Sequence, residues 1–285
     1  MKQVLVTGGN GQLGSCIQKI ASNYPDFKFT FTDVATLDIT NPEAVKEFFA
    51  QNTFDFVINC AAYTAVDLAE TEQEIARKVN ADAVGYLAEV ARLQDAWFIH
   101  ISTDYVFDGG FSMPILPDEK TNPLNIYGKT KLAGEELAFA NNPKTIVIRT
   151  AWVYSEFGKN FVKTMLRLFR EKEELSVVND QIGAPTNAND LALAILSILE
   201  KNRLKSGIYH FTNEGEISWF DFASAIKELS QSSITIHPVD STAFPTVAVR
   251  PKYSVLDLSS FKETFAQEIP DWKVSLGKLL QENDL

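Results

Sequence analysis

Short apolar runs rich in β-branched and aromatic residues recur up to Thr150, and stretches with helical periodicity separate them. The runs are Lys2–Thr7, Phe27–Thr32, Phe54–Asn59, Ala96–Ile101 and Lys144–Arg149. Near-continuous apolar strands alternating with helices point to parallel βαβ units whose sheet is covered on both faces. Helices are predicted from the first glycine turn to about Asn23, from Asn41-Pro42 to about Gln51, from Glu72 to about Leu93, and around Tyr127. After Tyr154 the rhythm becomes irregular. Helices are expected there at Asn160–Glu171, Ala188–Glu200, Ser218–Ser230 and near the C-terminus, with short strands around Leu175–Val178, Gly207–Phe211 and Ile234–His237. The expected fold class is α/β, a doubly wound parallel sheet of Rossmann type. Residues 1–154 are expected to form a dinucleotide-binding domain. Residues 155–285 are expected to form mainly a smaller, interleaved substrate lobe, with some segments returning to the first domain.

The first strand runs directly into Gly8-Gly-Asn-Gly11-Gln-Leu-Gly14 and then a helix. Glycines at these spacings remove Cβ atoms where the backbone turns tightly and approaches a pyrophosphate, and the helix start offers free N–H groups to that anion. Strand before and helix after is the context that makes the motif informative. Asp33 ends the second strand about 20 residues on, where an acidic side chain binds the adenosine ribose of NAD and repels a 2′-phosphate. Capping the strand turn is the other reading of Asp33. Asp38-Ile39 follows, in a loop that a doubly wound sheet places beside the adenine. Small residues in Cys60-Ala-Ala62 after the third strand leave room for a cofactor at its carboxyl end.

Tyr127 and Lys131 stand four apart, one turn of a helix, with Ser102-Thr103-Asp104 at the end of the fourth strand. A phenol beside an ammonium is suited to proton transfer, because the cation favours phenolate and draws the phenol's pKa down. A hydroxyl from Thr103 would stabilise an alkoxide forming at the same oxygen. Spacing alone proves little: Tyr24 and Lys28 share it, yet Pro25 makes that pair a surface turn. Asn80, poorly suited to a helix interior, is either exposed or a buried group that orders water near the site. Asn160, Lys163 and Arg250-Pro251 are candidate substrate contacts in the less regular half, each with an ordinary structural alternative.

Composition narrows the choice of partner. The 285 residues carry 26 Lys and Arg against 37 Asp and Glu, a net charge of −11, which argues against nucleic acid or an anionic membrane as the main partner. No apolar run approaches the length of a membrane span, so a soluble, cytoplasmic protein is expected. Two cysteines, Cys16 and Cys60, and three scattered histidines show no ligand spacing, which argues against metal or thiol catalysis.

Taken together, Gly8-x-x-Gly-x-x-Gly14, Cys60-Ala-Ala-Tyr-Thr-Ala-Val-Asp67, Ser102-Thr-Asp-Tyr-Val-Phe-Asp-Gly109, Tyr127-Gly-Lys-Thr-Lys131, Arg149-Thr-Ala-Trp-Val-Tyr154 and Asn179-Asp-Gln-Ile-Gly-Ala-Pro-Thr186 resemble the extended short-chain dehydrogenase/reductase superfamily. Within it the likeness is to the dTDP-4-dehydrorhamnose reductase family, over nearly the whole chain and weakest after about residue 255. The resemblance implies that Gly11, Gln12 and Leu13 line the cofactor pyrophosphate, with Asp33 on the ribose and Asp38 and Ile39 on the adenine. It implies that Ala62, Tyr63 and Thr64 flank the cofactor, NADPH or NADH. Thr103 and Asp104 would meet the sugar, Tyr127 donate the proton, Lys131 hold the nicotinamide ribose, and Trp152 lie against the substrate.

The implied reaction is reduction of a 4-keto sugar nucleotide, dTDP-4-dehydro-β-L-rhamnose, to dTDP-β-L-rhamnose. Related dehydratases carry an Asp-Glu pair after the threonine. Here Asp104 is followed by Tyr105, which suits simple carbonyl reduction. A homodimer is a further implication, and some members hold magnesium at a dimer contact, although no matching ligands can be read in this chain. Two other readings are open: a reductase of another nucleotide-linked 4-keto sugar, and a non-catalytic regulatory subunit of the same fold. Survival of Thr103, Tyr127 and Lys131 together weighs against the second.

Overall fold

The structure is a computed structural model and describes residues 1–283. Strands β1 (Lys2–Thr7), β2 (Phe27–Thr32), β3 (Phe56–Asn59), β4 (Trp97–Thr103) and β5 (Thr145–Thr150) pair in parallel, and Gly207–His210 joins β5 as a sixth. The order across the sheet is Gly207–His210, β5, β4, β3, β1, β2, so the chain reverses direction between β1 and β3. Ligands bind at the carboxyl ends of the strands beside such a reversal.

Alternation within the strands explains the double winding. Val4, Val6, Phe56, Ile58, Ile146 and Ile148 point to one face, where helices α1 (Gln12–Ile20) and Ala188–Glu200 cover them. Leu5 and Val57 point to the other, against α2 (Pro42–Gln51) and Ala83–Leu93. Val4, Leu5 and Val6 are fully buried, each worth about 1.5–3 kcal/mol over an exposed position. A separate apolar cluster joins Tyr154, on the short strand Val153–Tyr154, to Val162, Met165, Leu166, Phe222, Ile226 and Leu279 on helices Phe161–Glu171, Trp219–Leu229 and Trp272–Glu282. Short strands tie these segments together, Glu174–Val178 with Thr235–Val239 and Val153–Tyr154 with Thr186–Asn187.

The structure departs from the expected elements in instructive places. β4 continues through Ser102 and Thr103 because these pair with Arg149 and Thr150 of β5. β3 starts only at Phe56, since the Phe54 N–H is taken by the Gln94 side chain at 2.8 Å. The expected long helix from Glu72 is broken: Gln73–Arg77 passes through a π turn, Lys78–Asp82, into Ala83–Leu93. Asn80 sits in that turn, fully buried rather than exposed. Its amide forks the backbone of Tyr63, accepting from the N–H at 2.8 Å and donating to the carbonyl at 3.0 Å. Helix continuity yields there to a tertiary hydrogen-bond pair, and single π turns inside α-helices are frequent at functional sites. Among the described residues, no helix is long and apolar enough to cross a membrane.

Candidate active site

Thr7 ends β1 and the chain turns at Gly8, whose φ of 66° lies in the left-handed region. A Cβ there would stand 2.6 Å from the Ala61 nitrogen, and one on Gly14 would stand 2.3 Å from the Gly8 carbonyl oxygen. Glycine is therefore required for the start of α1 to fold against the turn. Gly9 N–H donates to the Thr32 carbonyl at 2.8 Å, locking the turn to β2.

A cavity of about 260 Å³ opens beside this turn, lined by Gly8, Gly11, Asp33, Asp38, Ile39 and Ala62. A second, of about 360 Å³, takes in Gln12, Leu13, Thr64, Tyr127, Lys131 and Thr150. The two meet at Asn10, Gly11, Cys60 and Ala62, which makes one groove from Asp33 to Tyr127. A groove of about 440 Å³ near Tyr24 and Asp190 holds none of the candidate catalytic, cofactor or substrate residues.

Asp33 caps its turn and also lines the first cavity. Its Oδ1 accepts from Ala35 and Thr36 N–H at 3.1 Å and from Thr36 Oγ1 at 3.0 Å, and Asn10 Nδ2 donates to Oδ2. The hydrogen bonds from Thr36 lead in lowering its pKa, so the aspartate caps its turn and stays ionised in the cavity wall. Asp38 Oδ1 is held by Thr40 N–H and hydroxyl at 2.9 and 2.7 Å. Tyr63 does not line the groove. Its hydroxyl donates to Glu72 Oε2 at 2.6 Å, although Ala62 and Thr64 on either side face inward.

Asn125 caps helix Ile126–Asn141, accepting from the Gly128 N–H at 2.8 Å, and so sets Tyr127 and Lys131 in its first turns. Lys131 is buried to 1% exposure, with Nζ donating to the Ile101 carbonyl at 2.6 Å. One expectation is corrected here: the lysine does not draw the phenol down. Burial pushes Tyr127 up to about 12, a hydrogen bond with Thr103 pulls the other way, and Asp104 adds to the rise. Burial also lowers Lys131 to about 8, against the opposing pull of Glu135. Desolvation leads at both groups, with Lys131 buried and Tyr127 half-buried in the groove wall. Tyr127 is thereby kept protonated at neutral pH.

Thr103 Oγ1 donates to Asp104 Oδ1 at 3.0 Å. Asp104 is buried with Oδ2 unpaired, and burial raises its pKa to about 6. Trp152 adopts a left-handed φ of 48° and stacks on Trp219 with ring centroids 3.6 Å apart. Thr103, Asp104 and Trp152 line neither cavity. Asn160 caps helix Phe161–Glu171 through Lys163 N–H, while its Nδ2 donates to Gln12 Oε1 at 2.9 Å. Arg250 is paired with Asp67, at 2.6 and 3.1 Å. Both are thus engaged within the chain.

Several residues with no role in the sequence reading complete the site. Glu135, one turn after Lys131, receives the Ser102 hydroxyl and the Arg149 guanidinium. His100 stands behind Lys131, and Lys159 joins the groove wall. The i, i+4 step from Lys131 to Glu135 was visible, but it reads as a surface ion pair. Among the described residues, no group of three or more His, Cys, Asp or Glu side chains is placed to hold a metal ion.

A doubly wound sheet, a glycine turn with no room for Cβ, and Tyr127, Lys131 and Thr103 at the strand ends define a class, the short-chain dehydrogenase/reductases. The RmlD substrate binding domain family matches residues 1–285, and the chain belongs to it. It is 42% identical over 292 residues to the dTDP-4-dehydrorhamnose reductase of Escherichia coli K12, covering 98% of this chain and 97% of that protein. A crystal structure of a dTDP-4-dehydrorhamnose reductase from Clostridium acetobutylicum matches with TM-score 0.95 and 42% identity over 99% of this chain and 100% of that one. The Bacillus anthracis dTDP-4-dehydrorhamnose reductase in complex with NADP matches with TM-score 0.94 and 37% identity, covering 99% of each chain.

Proposed function

We propose that this chain reduces the C4 keto group of dTDP-4-dehydro-β-L-rhamnose to give dTDP-β-L-rhamnose, with NADPH or NADH as reductant, as the last step of dTDP-rhamnose formation in the cytoplasm. The observation that carries this reading is the single groove running from Asp33 past the glycine turn to Tyr127 and Lys131. What supports a dinucleotide in the groove is its glycine turn, which admits no Cβ at Gly8 or Gly14 and leads straight into a helix N-terminus, the arrangement that receives a pyrophosphate. Gly11, Gln12 and Leu13 would face the pyrophosphate, Asp33 the ribose, Asp38 and Ile39 the adenine, and Ala62 and Thr64 the passage between. Tyr63 would contribute through its backbone, which Asn80 fixes.

Bound there, the reduced dinucleotide supplies the hydride. Tyr127 gives its proton to O4 of the sugar, and its raised pKa keeps that proton in place until the oxygen becomes basic. Thr103, whose hydroxyl lies beside the phenol, would stabilise charge developing on the same oxygen on turning its O–H away from Asp104. Lys131 would hold the nicotinamide ribose. Residues 1–154 would bind the dinucleotide and residues 155–285 mainly the sugar nucleotide, with Asp104 and Trp152 nearest the sugar. Asn160 and Arg250 would reach substrate only on leaving Gln12 and Asp67.

Purified protein with the keto-sugar nucleotide should consume one equivalent of reduced dinucleotide, followed at the nicotinamide absorbance band. Tyr127→Phe should lower turnover by about 10²–10⁴-fold with dinucleotide affinity retained. No consumption by the wild-type chain, or near-normal turnover in the variant, would overturn the reading.

A further inference from the structure

Behind Lys131 lies a row of buried polar side chains that the reduction leaves unused. Strand register sets Thr7 beside Asn59 and Asn59 beside His100. All three are buried to 1% exposure or less. Thr7 Oγ1 donates to Asn59 Oδ1 at 2.7 Å, and Ala61 N–H donates to the same oxygen at 3.2 Å. Two donors on Oδ1 fix the amide, so Nδ2 is the atom turned to His100 Nδ1, 3.1 Å away. An amide nitrogen only donates, hence Nδ1 accepts and the neutral ring carries its proton on Nε2.

Nε2 stands 3.3 Å from Lys131 Nζ. A ring N–H facing an ammonium sets donor against donor, whereas a neutral amine offers a lone pair to that N–H. The row therefore favours the uncharged lysine. Other groups face Nζ from the surrounding elements. Glu135, on the lysine's own helix, favours the charge, as does Cys60 after β3. The Cys60 thiol is itself pushed up to about 12 by burial, and the Tyr127 phenol lies one turn earlier. His100 stays neutral, since burial and the neighbouring Lys131 hold its pKa well below the usual range.

We propose that His100, oriented by Asn59 and Thr7, is a positioning residue: it fixes the Lys131 amine and adds to burial in resisting its protonation, so a group that lines neither cavity shifts the pH range in which the lysine is charged. Its consequence for turnover rests on the reductase reading. Its effect on the lysine does not.

Lysine labelled with ¹³C and ¹⁵N in the full chain, with Lys131 assigned through Lys131→Arg, gives the midpoint directly by NMR titration. Wild type should titrate near 8. His100→Gln presents a carbonyl to which the ammonium can donate, and should raise the midpoint by about one pH unit. The pH profile of turnover should move by the same amount. An unchanged midpoint in a His100→Gln protein with wild-type circular dichroism overturns the proposal. Imidazole ¹⁵N shifts of the wild-type chain need no variant. They should show the proton on Nε2 between about pH 6 and 9, and a proton on Nδ1 overturns the proposal as surely. Neither NMR measurement requires substrate, so both still test His100 in a chain that fails to oxidise reduced dinucleotide.

Discussion

Arg149 and Glu135 meet through two parallel hydrogen bonds, Nε to Oε1 at 2.9 Å and Nη2 to Oε2 at 2.7 Å, with side chains 2% and 3% exposed. Ser102 donates to the same carboxylate, Arg149 Nη1 donates to the Pro117 carbonyl at 3.0 Å, and the guanidinium lies 5.0 Å from the Phe107 ring centroid. This buried pin joins β5 and the end of β4 to the helix that carries Tyr127 and Lys131. Removing one charge leaves the other uncompensated out of water. Arg149→Met should lower stability by about 3–5 kcal/mol in urea unfolding. The double variant Glu135→Leu/Arg149→Met should lose less than the sum of the singles, since no lone charge remains.

Asp104 should make the protein less stable as pH rises through weak acid. Its pKa goes up from an ordinary 3.8 to about 6 in the fold, because burial penalises the carboxylate. The folded state therefore holds the proton more tightly than the unfolded state. Its contribution is fully present below about pH 3.8 and is lost as pH rises through about 6. Two pKa units correspond to about 3 kcal/mol. Asp104→Asn, which stays neutral, should be more stable than wild type at pH 8, and the advantage should shrink between about pH 6 and 4. Urea unfolding at a series of pH values reads the difference. A pH-independent difference would place the cost of Asp104 elsewhere.

Dinucleotide preference should follow Asp33. Its carboxylate is held in the cavity wall by Thr36, Ala35 and Asn10, Asp38 lies in the same wall, and among the described residues no Lys or Arg lines that cavity. A 2′-phosphate there meets negative charge without a cation, so kcat/KM should favour NADH over NADPH. Asp33→Ala should narrow the ratio several-fold, chiefly by improving NADPH. Because the site is open to solvent, raising ionic strength should narrow the wild-type ratio too.

How much of this was legible in the sequence depends on whether local pattern or tertiary contact decides each feature. β1, β2 and helix Ala188–Glu200 were readable to the residue, because unbroken apolar strands and a helix ending at Glu200 leave little choice. Thr103 was not readable as strand, since polar residues mark a strand's end until a partner such as Thr150 pairs with them. The π turn at Asn80 was hidden because its cause is the Tyr63 backbone, 17 residues away. Spacing placed Tyr127 and Lys131 one turn apart, but the direction in which the phenol's pKa moves depends on burial, which the fold sets. His100 read as one more residue of an apolar strand. Only the register across β1, β3 and β4 brings it into line with Thr7 and Asn59.

Trp152 should owe its position to Trp219. A tryptophan with φ near 48° occupies a region that non-glycine residues avoid, at a cost of roughly 1–2 kcal/mol. The stack on Trp219, with ring planes 14° apart, is worth about 0.5–1.5 kcal/mol beyond the area it covers. Phe161 backs Trp219 with ring centroids 4.6 Å apart, and a Cβ on Gly183 would stand 2.8 Å from the Trp152 ring, so the pair has little freedom to shift together. Trp219→Ala removes the support and leaves the strain, which should let Trp152 rotate away. If Trp152 lies against the sugar, KM for the keto-sugar nucleotide should rise several-fold while dinucleotide affinity stays as it was, because neither ring lines the groove. Trp219→Phe keeps an aromatic face and should recover most of the loss. Parallel loss of dinucleotide affinity in Trp219→Ala would show that the pair supports the whole groove, and Trp152 would then drop out as a sugar contact.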